Sequence, residues 1–282
     1  MATRGKRAPF PYFGGKATLS DALLTLMPEH DVYVEVCGGS GAFLFAKPPA
    51  ALEVWNDVDA GLVNFFRVLR NEKRAKRLRE LLELTPYSRE EWTECKATWQ
   101  YASDEVEMAR RWFVGLVQSF SKTPSSHGWS YCKQPGGHAV SKYRGLIDAL
   151  PDAVARFRMV QVDSLPALDC ITRYDAPNVL FYVDPPYVAE TRKSGGYRHE
   201  MTTDDHAALL DLLCGVQGMV MLSGYRSALY DELLTDWTRT DIETVNWSSN
   251  KVREARTECV WRNPAAVSRA NAGLWTREGV TA

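Results

Sequence analysis

Four short apolar runs in this chain lead into carboxylates, and that repetition constrains the fold more than any other feature. Val32 to Cys37 carries Glu35, Ala51-Leu52-Glu53-Val54-Trp55 runs into Asn56-Asp57, Met159-Val160-Gln161-Val162 ends in Asp163, and Val179-Leu180-Phe181-Tyr182-Val183 ends in Asp184. Short apolar runs rich in β-branched and aromatic residues read as buried strands. Helically spaced segments stand among them: Ala60 to Leu69, Met108 to Val117, Thr203 to Leu213 and Ala228 to Leu234. Such alternation predicts an α/β sheet, whose ligands bind where the strands end. One acid at a strand end is unremarkable; four at one edge predict a site.

The first run is followed by Gly38-Gly39-Ser40-Gly41 and then by the helical pattern Ala42-Phe43-Leu44-Phe45. A strand, a glycine-rich turn and a helix bring the backbone close to a nucleotide-like ligand. Phe43-Leu44 occupy the place of a third glycine, so the full dinucleotide fingerprint is absent. Asp57, after the second strand, suits ribose hydroxyls. It equally suits a helix N-cap, and Asp59 offers itself for that second role.

Asp184-Pro185-Pro186-Tyr187 closes the fourth run. Two prolines fix φ and remove two backbone donors, leaving the carbonyls of Asp184 and Pro185 free to accept. A carboxylate, a free carbonyl and the flat ring of Tyr187 suit a planar base with an exocyclic amino group. A proline-rich turn after a core strand is the plainer alternative.

At 282 residues the chain is long enough for one large α/β domain with an insert, or for two modest domains. The six cysteines are scattered, with no CxxC and no Cys/His cluster. That argues against a zinc site and a disulfide framework, and fits a reducing cytoplasm. No metal is expected, no stretch is apolar enough to span a membrane, and the basic N-terminus lacks the apolar core of a secretory signal. Net charge is −1, yet Arg110 to Arg158 holds eight basic residues and only two acids, Asp148 and Asp152. This is the pattern of a phosphate-tracking surface, or of a solvated face.

Those residues belong to an expected helical insert from about Asn71 to Phe157. Within it, Ser119 to Tyr143 is rich in Ser, Gly, Pro and aromatics, with Trp129, Tyr131, Tyr143 and the turn signal Pro135-Gly136-Gly137. It reads as an exposed loop or hairpin. After the insert, Gly218 to Ser223 reads as a further strand, and Ile242–Val245 with Glu258–Trp261 as a closing pair. Thr202 or Thr203 is expected to cap the helix that follows Asp184-Pro185-Pro186-Tyr187. From Pro264 onward a poorly ordered tail is expected.

Set in this order, the motifs resemble the Dam-like DNA adenine N(6)-methyltransferases. The resemblance rests on Pro11-Tyr12-Phe13-Gly14-Gly15-Lys16, on Tyr33-Val34-Glu35 through Gly39-Ser40-Gly41, on Asn56-Asp57, on Asp184-Pro185-Pro186-Tyr187, on Thr203 to Leu210 with Asp205-His206, and on Thr257-Glu258-Cys259-Val260-Trp261-Arg262-Asn263. It covers most of the chain, with the cofactor loop first, the insert next and the catalytic motif last. The family's usual Pro-Phe after the glutamate is Val36-Cys37 here, and Tyr12 stands where Trp is frequent. The arginine-bearing pattern of GATC-specific members is absent between Ser119 and Tyr143, which leaves the target sequence open.

The resemblance implies a Rossmann-like sheet that uses S-adenosyl-L-methionine, formed by residues 1–70 and 158–263, with residues 71–157 as an inserted helical DNA-recognition domain, a hairpin near 119–143, and a tail at 264–282. It implies that Tyr12 and Lys16 flank the cofactor, that Glu35, Gly39 and Gly41 line its methionine side, that Asp57 holds the ribose and that Asp163 lies near the cofactor's adenine. Asp184 and the Pro185 carbonyl would hold the amino group of a flipped adenine next to the methyl donor, with Pro186 shaping the turn and Tyr187 stacking. Lys122, Lys133, Lys142 and Arg144 are assigned to phosphates of double-stranded DNA, and Ser125, Ser126, His127 and Trp129 to base edges or a wedge. A monomer in the cytoplasm of a bacterial or phage-infected host is expected, with restriction-modification among its roles. Two other readings stay open: cytosine N(4)-methylation, which goes more often with Ser in place of Asp, and a non-catalytic DNA-binding protein that keeps the fold.

Overall fold

The computed structural model describes residues 7–122, 128–135, 137–187, 198–247 and 253–278. Its centre is a seven-stranded sheet. The strands are β1 (Val32–Glu35), β2 (Leu52–Asn56), β3 (Gln161–Asp163), β4 (Val179–Val183), β5 (Met219–Gly224), β6 (Thr238–Trp247) and β7 (Arg253–Arg262). They lie in the order β3-β2-β1-β4-β5-β7-β6. β1 to β5 are mutually parallel, and β7 runs antiparallel between β5 and β6. This is a Rossmann-like sheet closed by an antiparallel pair.

The period-2 alternation of the strands divides the interior into two cores. Tyr33, Trp55, Leu180, Tyr182, Met219 and Met221 join one cluster. Val34, Val54, Phe181, Val183, Val220 and Leu222, the intervening residues, join the other. Strands buried on both faces must be apolar throughout, and β4 and β5 are buried at every position.

Short helices α1 (Ser20–Leu26) and α2 (Ala42–Ala46) flank β1, and α3 (Ala60–Leu69) follows β2. Asp59 caps α3 by accepting from the amides of Gly61 and Leu62. The segment between α3 and β3 holds α4 (Glu72–Leu84), α5 (Arg89–Thr98), α6 (Glu105–Val117) and α7 (Ala139–Phe157). These helices share a core with the sheet. Phe65 stacks on Phe113 at 5.7 Å, and Phe157 stacks on Phe66 at 4.5 Å. Arg156 donates to both carboxylate oxygens of Glu53 on β2 and to the Leu44 carbonyl, while Lys47 reaches Glu53 at 2.6 Å.

Beyond β3 come α8 (Ala167–Tyr174), α9 (Thr203–Gly215) after β4, and α10 (Ala228–Leu233) after β5. Thr202 caps α9 in a reciprocal capping box with Asp205. Within the tail expected from Pro264, residues Pro264–Glu278 form the helix α11, and 279–282 lie outside the described residues. Asn263 accepts from the Ala266 amide as its cap, Pro264 suits the first helical position, and Ala266 is fully buried. Of the loop or hairpin expected near 119–143, an antiparallel bridge joins Ser119 and Trp129, with the Phe120 amide donating to the Gly128 carbonyl and the Ser130 amide to the Gln118 carbonyl; its C-terminal end is corrected, because α7 begins at Ala139. Tyr143 falls in register with Ile147, Leu150 and Phe157 on the buried face of α7, so its ring is core rather than loop.

Candidate active site

β1 is flanked by β2 on one side and β4 on the other, so the chain switches direction across the sheet at this point. Open α/β sheets bind ligands at that switch, outside the carboxyl ends of the strands. A cavity of about 370 Å³ lies there, within the size range of small-molecule sites. It is walled by the Tyr12–Lys16 loop, the turn Gly38–Ser40, Asn56–Asp59, Leu165–Leu168, and the ends of β1 and β4.

The glycine turn is fixed by close packing. A Cβ on Gly38 would lie 2.1 Å from the Trp55 indole nitrogen, so no side chain fits there. Gly39 has φ +51° and donates its amide to Asp57 Oδ2 at 2.9 Å. Asp57 Oδ1 accepts from the Asp59 amide at 2.8 Å. Asp57 therefore faces the cavity with both oxygens already oriented, and burial lifts its pKa to about 6. Gly41, with φ +68°, serves the turn and starts α2 but lies off the cavity wall. The capping role falls to Asp59.

Glu35 lines the cavity floor at 3% exposure. Its Oε2 accepts from the Tyr33 hydroxyl at 2.8 Å and the Leu44 amide at 3.0 Å. Burial outweighs both bonds and pushes its pKa to about 8.

The β4 end forms a polar corner. Asp184 lines the cavity and pairs with Lys16 at 2.8 Å. Lys16 also donates to the Gly14 carbonyl at 2.9 Å, lies 3.5 Å from Glu258 and sits 4.8 Å over the Tyr187 ring. The Tyr187 hydroxyl donates to Glu258. Burial raises the carboxyl pKa of both Asp184 and Glu258, and the Lys16 ammonium opposes the rise in each. Pro186 lines the cavity, whereas Pro185 is buried beside it. The Tyr187 ring is 6% exposed, covered by Lys16 and by Tyr225 at 4.6 Å. It is not the open stacking face expected from sequence.

Tyr12, Lys16, Glu35, Gly39, Asp57 and Asp184 thus meet at one cavity, and Asp163 does not. Its carboxylate accepts from Tyr174 and the Ser164 amide, with Arg173 at 3.9 Å. The neighbouring wall is apolar instead, formed by Leu165, Pro166, Ala167 and Leu168. Sequence reading also missed Arg198, His199, Glu200 and Met201, which close the cavity ahead of α9. Their only signal was their position shortly after the catalytic motif.

The residues assigned to DNA are scattered. Ser125, Ser126 and His127 lie outside the described residues. Lys122 is turned inward, donating to the Val117 carbonyl, and burial lowers its pKa to about 8. Trp129 is half-buried, stacked on Tyr131 and under Arg89. Lys133 and Lys142 are exposed, and Arg144 is exposed while bonding the Glu83 carbonyl. With Lys122, four of the eight basic residues are engaged within the fold, since Arg110 and Arg111 bind Glu107 and Arg156 binds Glu53. The charge run is therefore partly scaffold.

Fold and site together define a Rossmann-like methyltransferase with an acidic Asp-Pro-Pro-Tyr corner. More particularly, the family model of the D12 class N6 adenine-specific DNA methyltransferases matches residues 12–250, and the chain belongs to that family. No curated protein matches it. Among the described residues, no helix is long and apolar enough to cross a membrane, and no group of three or more His, Cys, Asp or Glu side chains is placed to hold a metal ion.

Proposed function

We propose that this DNA methyltransferase transfers a methyl group from S-adenosyl-L-methionine to the exocyclic amino group of an adenine flipped out of double-stranded DNA at specific sites. The observation that carries the reading is the placement of Asp184 on the same cavity as the Gly38–Ser40 turn and Asp57. The residues present fit the cofactor. The oriented Asp57 carboxylate suits a ribose diol, the glycine turn admits close backbone approach, Glu35 suits a cationic amino-acid end, and the Leu165–Leu168 wall suits a purine ring. When bound, the cofactor supplies an electrophilic methyl group on a sulfonium.

The chain's own part is positioning and electrostatics. Adenine's amino nitrogen is a poor nucleophile because its lone pair is delocalised into the ring. Accepting its protons at the Asp184 carboxylate and the Pro185 carbonyl turns the nitrogen toward tetrahedral geometry and aims the lone pair. An adenine inside a duplex is out of reach of this corner, which is why the reading includes flipping. Stacking on Tyr187 would require its present cover of Lys16 and Tyr225 to shift.

Residues 71–157 are assigned to DNA recognition, with Lys133, Lys142 and Arg144 on phosphates and the stretch after Phe120 near the bases. The protein is assigned as a monomer. Single-molecule sequencing of host DNA after expression tests the reading. N6-methyladenine at one recurring sequence is the expected result. Methylation of cytosine alone, or no modified base, would overturn it.

A further inference from the structure

We infer that Glu258 is a positioning residue for methyl transfer, acting through Lys16 on Asp184; the inference rests on the transfer reading above. Because β7 runs antiparallel to β5, with Cys259 opposite Gly224, its earlier residues return to the edge where β4 ends. Glu258 thereby enters the catalytic corner from the far side of the sheet, at 5% exposure. A lone acid in the apolar run Glu258–Trp261 has no packing reason to be there.

The Lys16 ammonium donates to the Gly14 carbonyl at 2.9 Å and forms ion pairs with Asp184 Oδ1 at 2.8 Å and Glu258 Oε1 at 3.5 Å. The Lys16 side chain is itself only 5% exposed, so a charge imbalance there is costly. Asp184 Oδ1 exposes less than 1 Å², although the side chain is 17% exposed and lines the cavity. Lys16 therefore holds the buried oxygen by charge, without a directed hydrogen bond, and the other oxygen is the one offered to an incoming amino group. Glu258 holds Lys16 beside Asp184 from the opposite side, and the same carboxylate accepts from the Tyr187 hydroxyl.

The test is steady-state kinetics on sheared genomic DNA with Glu258→Gln, Glu258→Asp and Tyr187→Phe, each first checked for a wild-type melting profile. An ångström-scale misplacement of reacting groups costs about a hundredfold in rate. Glu258→Gln is expected to lower kcat by about ten- to a hundredfold with KM for S-adenosylmethionine unchanged. Glu258→Asp should recover part of the loss, because it keeps the charge, and Tyr187→Phe should cost far less than Glu258→Gln. The inference is overturned if Glu258→Gln keeps wild-type kcat, if the loss appears in cofactor KM, or if Tyr187→Phe reproduces the whole effect. Absence of transfer by the wild-type protein would instead overturn the underlying reading.

Discussion

Glu35→Gln separates the charge of this buried residue from its hydrogen bonds. One oxygen, Oε2, accepts from both Tyr33 and Leu44. A glutamine carbonyl placed there keeps both bonds, and its amide mimics the protonated acid. The folded pKa of about 8 stands above the ordinary value of 4.5, so the folded protein holds a proton that the unfolded chain releases. The stability this proton supplies is fully present below pH 4.5 and is lost as pH rises toward 8. The slope is about 1.4 kcal/mol per pH unit. Urea unfolding at about pH 5.5 and about pH 7.5 should therefore show the variant gaining about 2–3 kcal/mol on wild type between the two conditions. Other titrating groups cancel in the comparison. A stability difference independent of pH would mean that Glu35 is ionised in the folded protein and that burial does not dominate its environment. The same reasoning extends to the cofactor. A cationic ligand favours the ionised acid, so wild-type affinity should keep rising with pH up to about 8, while that of the variant should level off above about 6, once Asp57 is ionised.

Three other outcomes follow from the geometry. Asp57→Ala should weaken cofactor binding by calorimetry, since each charge-assisted bond lost is worth about 1.5–3 kcal/mol; unchanged affinity would move the ribose role elsewhere. Phe157→Ala, at a fully buried ring packed on Phe45, Phe66 and Trp55, should cost about 3–5 kcal/mol of stability. A loss under about 1 kcal/mol in urea unfolding would show that the helices from α4 to α7 do not depend on this shared core. Lys133→Ala should weaken DNA binding across sequences and reduce the salt slope by about one, measured by fluorescence anisotropy; an unchanged slope would remove it from the phosphate surface.

β1, β2 and β4 were legible because they are short apolar runs that lead into acids, and α3 was legible to the residue because Asp59 caps it. The cavity's main residues followed from the same edge rule. What escaped depended on tertiary partners. Asp163 has the pattern of a site acid but is turned toward Tyr174 and Arg173. Lys16 was placed beside the cofactor, yet its ammonium lies on Asp184, a contact across 168 positions that local pattern does not encode. The arginines of the charge run carried no mark of being internal, since their acids lie on another helix, on β2 or one turn away. The start of α7 was hidden by the Pro-Gly-Gly turn just before it, and α11 by the expectation that termini fray.

The central claim is that Asp184 directs a methyl group to the amino nitrogen of adenine. Its most direct test is to incubate wild-type protein and Asp184→Ala with double-stranded DNA and methyl-labelled S-adenosylmethionine, then to identify the labelled nucleoside by mass spectrometry. Label in N6-methyldeoxyadenosine for the wild type, reduced by several orders of magnitude in the variant while its melting profile persists, is the expected result. Label in N4-methyldeoxycytidine, or incorporation by Asp184→Ala near the wild-type rate, would contradict it.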